Sequence, residues 1–262
     1  MKKNIISAAL MLAGISPVAT AQDTAKKEIS FSFIEGAFAH DNFNSNGLGI
    51  NDRDGVGNTA DDNFGILGEA TGNGGGARLS VELPFGSNAM GFHAVADYLQ
   101  TGHDVGIAIT DEFGAPTASG VVALDQSEFR AAFGVHSKAS KYFSLFGELG
   151  FTTNKVDLGT ANLVAGPNAI SADLGPASGS RTALDARIGG RGILGKRTEL
   201  LGYVRYSGNG KLETATDGTV GFTGKVIAGA GAYYHFSDRF QLGADYEFGT
   251  PGRFRAVARF TF

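Results

Sequence analysis

The stretch that decides the fold is Phe254-Arg255-Ala256-Val257-Ala258-Arg259-Phe260-Thr261-Phe262, at the end of the chain. Its phenylalanines and alanines share one parity, whereas both arginines, Val257 and Thr261 have the other. Successive side chains point to opposite faces of a β-strand, so a period of two predicts a strand with one apolar and one polar face.

The same alternation recurs along the chain and predicts an antiparallel all-β protein. In 240–248, for example, Gln241, Asp245 and Glu247 alternate with apolar residues. We predict about ten strands, with eight as the alternative. They lie near residues 29–41, 76–85, 90–101, 125–137, 142–153, 182–193, 199–207, 222–236, 239–249 and 253–262.

Short turns and long polar stretches separate these strands alternately. Four short links fall at 86–88, 137–141, 194–198 and 237–238, and the long Gly-, Asn- and Asp-rich stretches fall at 42–75, 102–124, 154–180 and 208–221. The final link, 249–252, is brief. Short turns at one end and long loops at the other are typical of outer-membrane barrels. The pattern therefore predicts an up-and-down transmembrane β-barrel with long extracellular loops.

Composition excludes several other classes of protein. The 262 residues include 40 Gly and no Cys, so neither a disulfide framework nor a thiolate metal site can form. No apolar run reaches the roughly 18 residues that a spanning helix needs. The formal charge of −4 argues against a nucleic-acid partner.

The N-terminus carries the features of a bacterial secretory signal peptide. Lys2 and Lys3 precede the apolar stretch 5–15, and Ala19-Thr20-Ala21 reads as a cleavage site. We therefore assign 1–21 to the signal peptide and 22–262 to the barrel.

Alternation alone does not distinguish a soluble β-sandwich from a membrane barrel. Ionised residues on nearly every polar face, aromatics near strand ends and small residues on the apolar face favour lipid outside and a charged lumen inside. The predicted inward bases are Arg78, Arg130, Arg187, Arg191, Arg205, Lys225, Arg255 and Arg259. The predicted inward acids are Glu35, Glu82, Asp97, Glu128, Glu148, Asp185, Asp245 and Glu247. Because unpaired buried charges are costly, we expect cross-linked ion pairs that leave the interior plugged or very narrow.

The first strand departs from the pattern. Phe31 and Phe33 share the parity of Glu35, whereas Ile34 and Phe38 have the opposite parity. Either a bulge near Phe33 reconciles the two sets, or this end of the barrel holds inward aromatics.

Four stretches together resemble the small proteobacterial outer-membrane β-barrel proteins of the OmpA/OmpX-like, porin-family group: the signal peptide, the opening strand 31–36, the strand 240–248 and the terminal 259–262. The resemblance implies an outer-membrane location, and the alternating last strand ending in Phe262 resembles the recognition signal of the barrel-assembly machinery. It implies no catalytic set.

Two constellations resemble enzyme sites weakly. His235-Phe236-Ser237 with Glu247 is similar to the His-x-Ser and Glu set of outer-membrane lipid A deacylases, although Ser237 falls at a periplasmic turn. Ten strands with acidic and His residues at an outer rim are similar to the omptin proteases. The rim candidates here are His40, Asp41, Asp61, Asp62, His103 and Asp104. We predict no catalytic residues and no enzyme activity, with a hydrolase as the minor alternative.

The Asp-rich stretch 51–63 suggests a calcium loop, but aligning Gly55 with the invariant glycine of an EF-type loop puts Ile50 at the first ligand position. The glycines of 72–76 have no phosphate-loop pattern around them. We therefore predict no metal site and no cofactor.

The expected role is structural, adhesive or surface-interactive, with a largely filled lumen and a monomeric barrel. The expected partners are outer-membrane lipid, lipopolysaccharide, the barrel-assembly machinery and host or phage surfaces. The alternative is a narrow porin-like channel for ions or small solutes.

Overall fold

The computed structural model describes residues 29–43, 63–66, 70–87, 89–110, 116–137, 140, 142–165, 168–172, 178–214, 220–249 and 252–262. The predicted signal peptide 1–21 lies outside these residues. So does the Asp-rich stretch 51–63, apart from the backbone of Asn63.

The described residues form twelve β-strands. They are β1 (Phe33–Phe43), β2 (Asn63–Ile66), β3 (Ala70–Gly86), β4 (Met90–Thr110), β5 (Pro116–Ser137), β6 (Phe143–Ala165), β7 (Asn168–Ala172), β8 (Ser178–Leu194), β9 (Thr198–Thr214), β10 (Val220–His235), β11 (Phe240–Phe248) and β12 (Gly252–Thr261). No helix long and apolar enough to cross a membrane occurs in the part of the chain described.

The strands close into one antiparallel barrel. β2 and β3 pair with different parts of the same edge of β4, and β7 and β8 pair in the same way with β6. The two short strands, β2 and β7, therefore add no position to the ring. The other ten pair in up-and-down order, and β1 pairs with β12 to close the ring. Closure satisfies the backbone of every ring strand on both sides, which the interior of a bilayer requires.

Each of the ten predicted strands corresponds to one ring strand, and the predicted short turns are confirmed. The four tight links at 87–89, 138–142, 195–197 and 236–239 lie at the end that holds both Phe31 and Phe262, which we call the turn end. The opposite end, called the extended end, differs from the prediction because strands continue into the polar stretches. β5, for example, has 22 residues, about twice the roughly 9–11 that a tilted membrane strand needs.

The outer face of the ring is apolar, as the alternation predicts. Along β12, Phe254, Ala256 and Ala258 are exposed while Arg255 and Arg259 are buried. Other exposed apolar residues on the wall are Phe38, Leu79, Phe129, Phe133, Leu149, Phe151, Leu184, Ile188, Val204 and Leu242. An apolar surface that runs around the whole ring belongs in lipid, since soluble monomers rarely expose contiguous patches larger than a few hundred Å². The chain is a transmembrane β-barrel of the outer-membrane type.

Aromatic side chains gather at both ends of this apolar wall. At the turn end, the Phe236 ring lies 4.9 Å from that of Tyr234 and 6.2 Å from that of Phe240. At the opposite end of the wall, the Tyr246 and Phe248 rings are 4.8 Å apart. These pairs match the aromatic girdles that lie at the two bilayer interfaces of outer-membrane barrels.

The first strand contains no bulge. The pairing of β1 runs unbroken from Phe33 to Asn42 against both β3 and β12. Phe31 and Phe33 are buried beside Glu35 on the lumen side, while Ile34 and Phe38 are exposed. The sequence left two interpretations open, and the second is correct: the aromatic side chains at the turn end point into the lumen.

Candidate functional site in the barrel lumen

The lumen holds a continuous network of ion pairs, which is densest towards the extended end. There the guanidinium of Arg253 donates to both oxygens of Asp41, at 2.8 and 3.1 Å, and to Glu128 at 3.2 Å. Arg205 donates to the other oxygen of Glu128, so one carboxylate on β5 joins arginines on β9 and β12. Glu247 lies 3.9 Å from each of these arginines.

Asp185 links this group to the middle of the barrel. Its Oδ2 accepts from Arg205 Nε at 2.6 Å, and its Oδ1 accepts from Arg130 Nε. Arg130 also donates to Glu148 Oε2 at 2.8 Å. The bonds therefore run across strands β5, β6, β8 and β9 and tie together walls that are not adjacent in the sheet.

A second branch crosses the lumen between β1, β3, β4 and β12. Arg78 pairs with Asp97 through Nε and Nη2, and its Nη1 lies 3.7 Å from Glu35. Arg259 donates to the other oxygen of Glu35 at 2.9 Å. Glu35 therefore compensates two arginines and Arg78 has two carboxylate partners, which keeps the burial of these charges tolerable.

Arg259 and Arg191 share the carboxylate of Glu199 near the turn end. Arg191 Nε donates to it at 2.8 Å, and Arg259 Nη1 lies at 3.3 Å. Arg191 also donates to the backbone carbonyl of Ser30 at 2.6 Å, which ties the segment that precedes β1 to the inside of the barrel.

Aromatic rings fill the turn end between the arginines. The guanidinium carbon of Arg259 lies 3.9 Å from the Tyr233 ring centroid and 4.4 Å from that of Phe33. The Arg187 guanidinium lies 3.5 Å from the Tyr203 centroid and 5.5 Å from that of Phe146. A guanidinium loses its hydration when it is buried, and stacking on a ring face replaces part of that stabilisation.

Two buried histidines extend the network at the turn end. His136 stacks on Phe31 with ring centroids 3.8 Å apart, and its Nδ1 lies 3.2 Å from Nδ1 of His93. His93 Nε2 lies 3.3 Å from Glu148, and His136 Nε2 lies 3.5 Å from Glu82. These contacts add the two imidazole rings to the aromatic layer at the turn end.

Two small cavities lie among the lumen side chains. One cavity of about 30 Å³ lies at the turn end among Phe31, Phe33, Phe146 and their neighbouring arginines. Another, of about 10 Å³, lies in the middle beside Arg130, Arg205 and Arg255. A cavity needs about 10–15 Å³ to hold a single water, so these volumes correspond to one or a few small molecules. These two volumes are compatible with the largely filled interior that the balanced inward charges predict.

The structure brings together nearly all of the predicted lumen residues. Seven of the predicted bases, the eight less Lys225, are buried, and Lys225 lies half-buried on the inward side of β10. Sequence reasoning missed Asp41, Glu199 and Arg253, all of them buried and bonded into the network. Parity could have found them, because Asp41 shares the parity of Glu35 and Arg253 that of Arg255 and Arg259.

The residues that resemble a deacylase set are not assembled into one. His235 is buried with its Nε2 3.6 Å from Glu199, whereas Glu247 accepts a hydrogen bond from the Tyr203 hydroxyl at 2.7 Å. The Ser237 hydroxyl accepts from the backbone N–H groups of Arg239 and Phe240 and so shapes the turn.

The omptin-like rim residues are also dispersed. His103 and Asp41 lie together inside the lumen, 3.7 Å apart, beside Arg253. His40 contacts Asn73 on the other face of β1, and Asp104 is exposed. Asp61 and Asp62 lie outside the described residues. Within the described ranges, no group of three or more His, Asp or Glu side chains is arranged to hold a metal ion.

Neither a protein-family model nor a curated protein sequence matches the chain.

Solved structures with a similar strand arrangement include three bacterial proteins. Ail, the attachment invasion locus protein of Yersinia pestis in complex with the heparin analogue sucrose octasulfate, is 15% identical, with a TM-score of 0.35, over 88% of this chain and 97% of that one. The outer membrane protein OprG from Pseudomonas aeruginosa is 12% identical, with a TM-score of 0.39, over 90% and 97%. The transport unit of the autotransporter AIDA-I from Escherichia coli is 8% identical, with a TM-score of 0.45, over 98% and 97%. Identities and TM-scores this low assign no function.

Proposed function

We propose that this protein is a non-conducting barrel of the bacterial outer membrane that acts through the surface it displays at its extended end. The observation that carries the proposal is the filled lumen. Ion pairs and aromatic rings join opposite walls, and the cavities between them measure about 30 and 10 Å³. A pathway for hydrated ions or solutes needs a continuous opening of the kind that wider barrels leave, and side chains that meet across the lumen favour a closed interior.

The extended end supplies the surface for such a role. β4, β5 and β6 have 21, 22 and 23 residues, so their paired ends project well beyond the apolar wall. Exposed charged residues such as Asp125, Lys155 and Asp157 lie on this projection. Polar strands that rise from a membrane barrel are suited to contact lipopolysaccharide headgroups and the surfaces of host cells or phage.

The proposal includes the orientation and assembly of the barrel. The extended end faces the cell exterior and the turn end faces the periplasm, where the predicted signal peptide would deliver the chain. The closed ring favours a monomer, because no ring strand offers an open edge for pairing with a second copy. The last strand, β12, is the segment that the barrel-assembly machinery would recognise. Its Phe260 has the parity of the outward-facing residues of this strand.

Planar-bilayer recording of the purified barrel tests this proposal against the channel alternative. We expect no discrete current steps from the native protein. Replacing the lumen side chains of Phe31, Phe146 and Tyr203 by Ala removes part of the aromatic layer and should produce steps. Replacing Phe38, Phe133 and Phe151, which are exposed on the outer wall, should leave the barrel silent. Regular steps from the native protein would establish the channel instead.

Two assays address the hydrolase alternative separately. Expression of the protein should leave the mass spectrum of lipid A unchanged, and a peptide-cleavage screen should yield no products. A shortened lipid A or a cleaved peptide would overturn the assignment as a non-enzymatic surface protein.

A further inference from the structure

One arginine in the lumen lacks the compensation that the others have. Arg187 is only 7% exposed, and no carboxylate of a described residue lies within ion-pair distance of its guanidinium. Its Nε is buried without a hydrogen-bond partner. A buried cation left with an unused N–H donor is unfavourable unless another group compensates it.

The neighbouring strands explain why Arg187 is left over. Its cross-strand partners are Glu148 on β6 and Arg205 on β9. Glu148 is already occupied, since Oε2 accepts from Arg130 at 2.8 Å and Oε1 lies 3.3 Å from His93. Arg205 adds a like charge on the other side. Arg187 therefore stacks on Tyr203, which compensates the charge in part but accepts no hydrogen bond from Nε.

Arg187 lines the cavity of about 30 Å³ at the turn end, and the other walls of that cavity are also cationic. Arg78, Arg191 and Arg259 line it as well, against a single acid, Glu148. Those three arginines form ion pairs with Asp97, Glu35 and Glu199, whereas Arg187 has only its cross-strand neighbour Glu148, beyond ion-pair distance.

The remaining walls limit the size and kind of ligand. They are the rings of Phe31, Phe33 and Phe146 with Val95, Leu201 and Ser80. Apolar walls and space for only a few water-sized molecules favour a small inorganic ion over an organic molecule or a hydrated cation. Ring edges carry positive partial charge and tolerate an anion.

We propose that this cavity is a binding site for one small monovalent inorganic anion of about the size of chloride. The anion lies against the Arg187 guanidinium where it lines the cavity, and adds the negative charge that no carboxylate supplies within ion-pair distance. Arg78, Arg191 and Arg259 stabilise it by charge while keeping their own carboxylate partners. The anion thereby locks β6, β8 and β9 together at the turn end.

Bromide is the probe for the position of the site, because it replaces chloride and scatters anomalously. Crystals of the detergent-solubilised barrel grown in sodium bromide should show an anomalous peak in the cavity beside Arg187. Arg187→Met keeps the length of the side chain but removes the charge and the donor, so the peak should vanish. Arg239→Met, at an exposed turn residue, should keep it.

Solution stability provides a second readout on the native protein. Unfolding is measured in sodium chloride and in sodium gluconate at equal ionic strength, since gluconate is too large for the cavity. At ten times its Kd, one bound anion multiplies the folded-to-unfolded ratio about 11-fold. Chloride should therefore stabilise the native barrel saturably, and Arg187→Met or Arg187→Gln should abolish the difference between the two salts.

Three results would overturn the site. The first is a cavity that contains only water in bromide crystals, and the second is a bromide peak that persists in Arg187→Met. The third is equal stability of the native protein in chloride and gluconate. The first and third need no variant, so a substitution that fails to fold leaves the proposal open to refutation.

Discussion

At the scale of single residues, Asp245 shows how the lumen charges act on stability. Its carboxylate accepts from Arg255 Nε at 2.7 Å, from Arg255 Nη2 at 3.1 Å and from the Tyr233 hydroxyl at 2.9 Å. These bonds join β10, β11 and β12. Asp245→Ala leaves a buried guanidinium without its partner, so we expect the free energy of unfolding to fall by about 3–5 kcal/mol. Urea unfolding of the barrel in lipid vesicles measures the loss.

The exposed pair between Lys155 and Asp157 is the control. Its charged atoms lie 2.7 Å apart, but the side chains are 55% and 48% exposed. Water already solvates both groups, so Lys155→Ala should cost less than about 1 kcal/mol. Similar losses for Asp245→Ala and Lys155→Ala would mean that water reaches Asp245 and that the lumen is not filled.

Residue identity predicted which side chains face inward, but not which partners they have. Arg78, Arg255 and Arg259 follow from parity alone. Which carboxylate a lumen arginine meets often depends on a chain segment far away in sequence. Arg253 pairs with Asp41, for example, and Arg205 pairs with Glu128. Those contacts are set by the stagger of strands around the ring, which local periodicity does not contain. The unpaired Arg187 was for the same reason predicted only as an inward base.

At the scale of strands, inward aromatic rings lie over glycines of the neighbouring strand. A Cβ added at Gly243 on β11 would lie 2.4 Å from Tyr233 Cδ1 and 2.5 Å from the Ala232 carbonyl oxygen. The Tyr233 ring therefore occupies the space where a side chain would stand. We expect Gly243→Ala to displace this ring and to destabilise the barrel by about 1–3 kcal/mol through overpacking. Unfolding in urea provides the measurement.

Gly202 on β9 is the matched control, because it is also a strand glycine but has nothing within 4 Å of an added Cβ. Both substitutions restrict the unfolded chain equally. Gly202→Ala should therefore be neutral or slightly stabilising. If Gly243→Ala were tolerated as well as Gly202→Ala, the Tyr233 ring would not be packed against β11.

The ends of the strands show where sequence patterns stop being informative. At the turn end, Gly and Ser mark the links, and the predicted boundaries agree with the structure. At the extended end, β4 and β5 continue through polar residues such as His103, Asp104 and Asp125. Beyond the bilayer neither face must be apolar, so alternation fades while the backbone pairing continues. The prediction therefore read these segments as loops.

At the scale of the whole molecule, two faces of opposite character determine where the barrel resides. The wall is apolar and the lumen is charged, the reverse of a soluble β-protein. The sequence predicted this arrangement because its two parities differ along nearly every strand. The degree of filling was less accessible, since it depends on the inward rings of Phe31, Phe33, Phe146, Tyr203 and Tyr233, which share parity with the charges.

The most direct test measures what surrounds the outer wall. Ala232, Ala244 and Ala256 form a row across β10, β11 and β12, and the native chain has no Cys, so a single introduced Cys carries one spin label. In reconstituted vesicles, labels in this row should collide often with oxygen and rarely with a water-soluble nickel complex. A label at Lys155 should behave in the opposite way. Equal accessibility to the nickel complex at Ala256 and Lys155 would contradict a membrane-spanning wall.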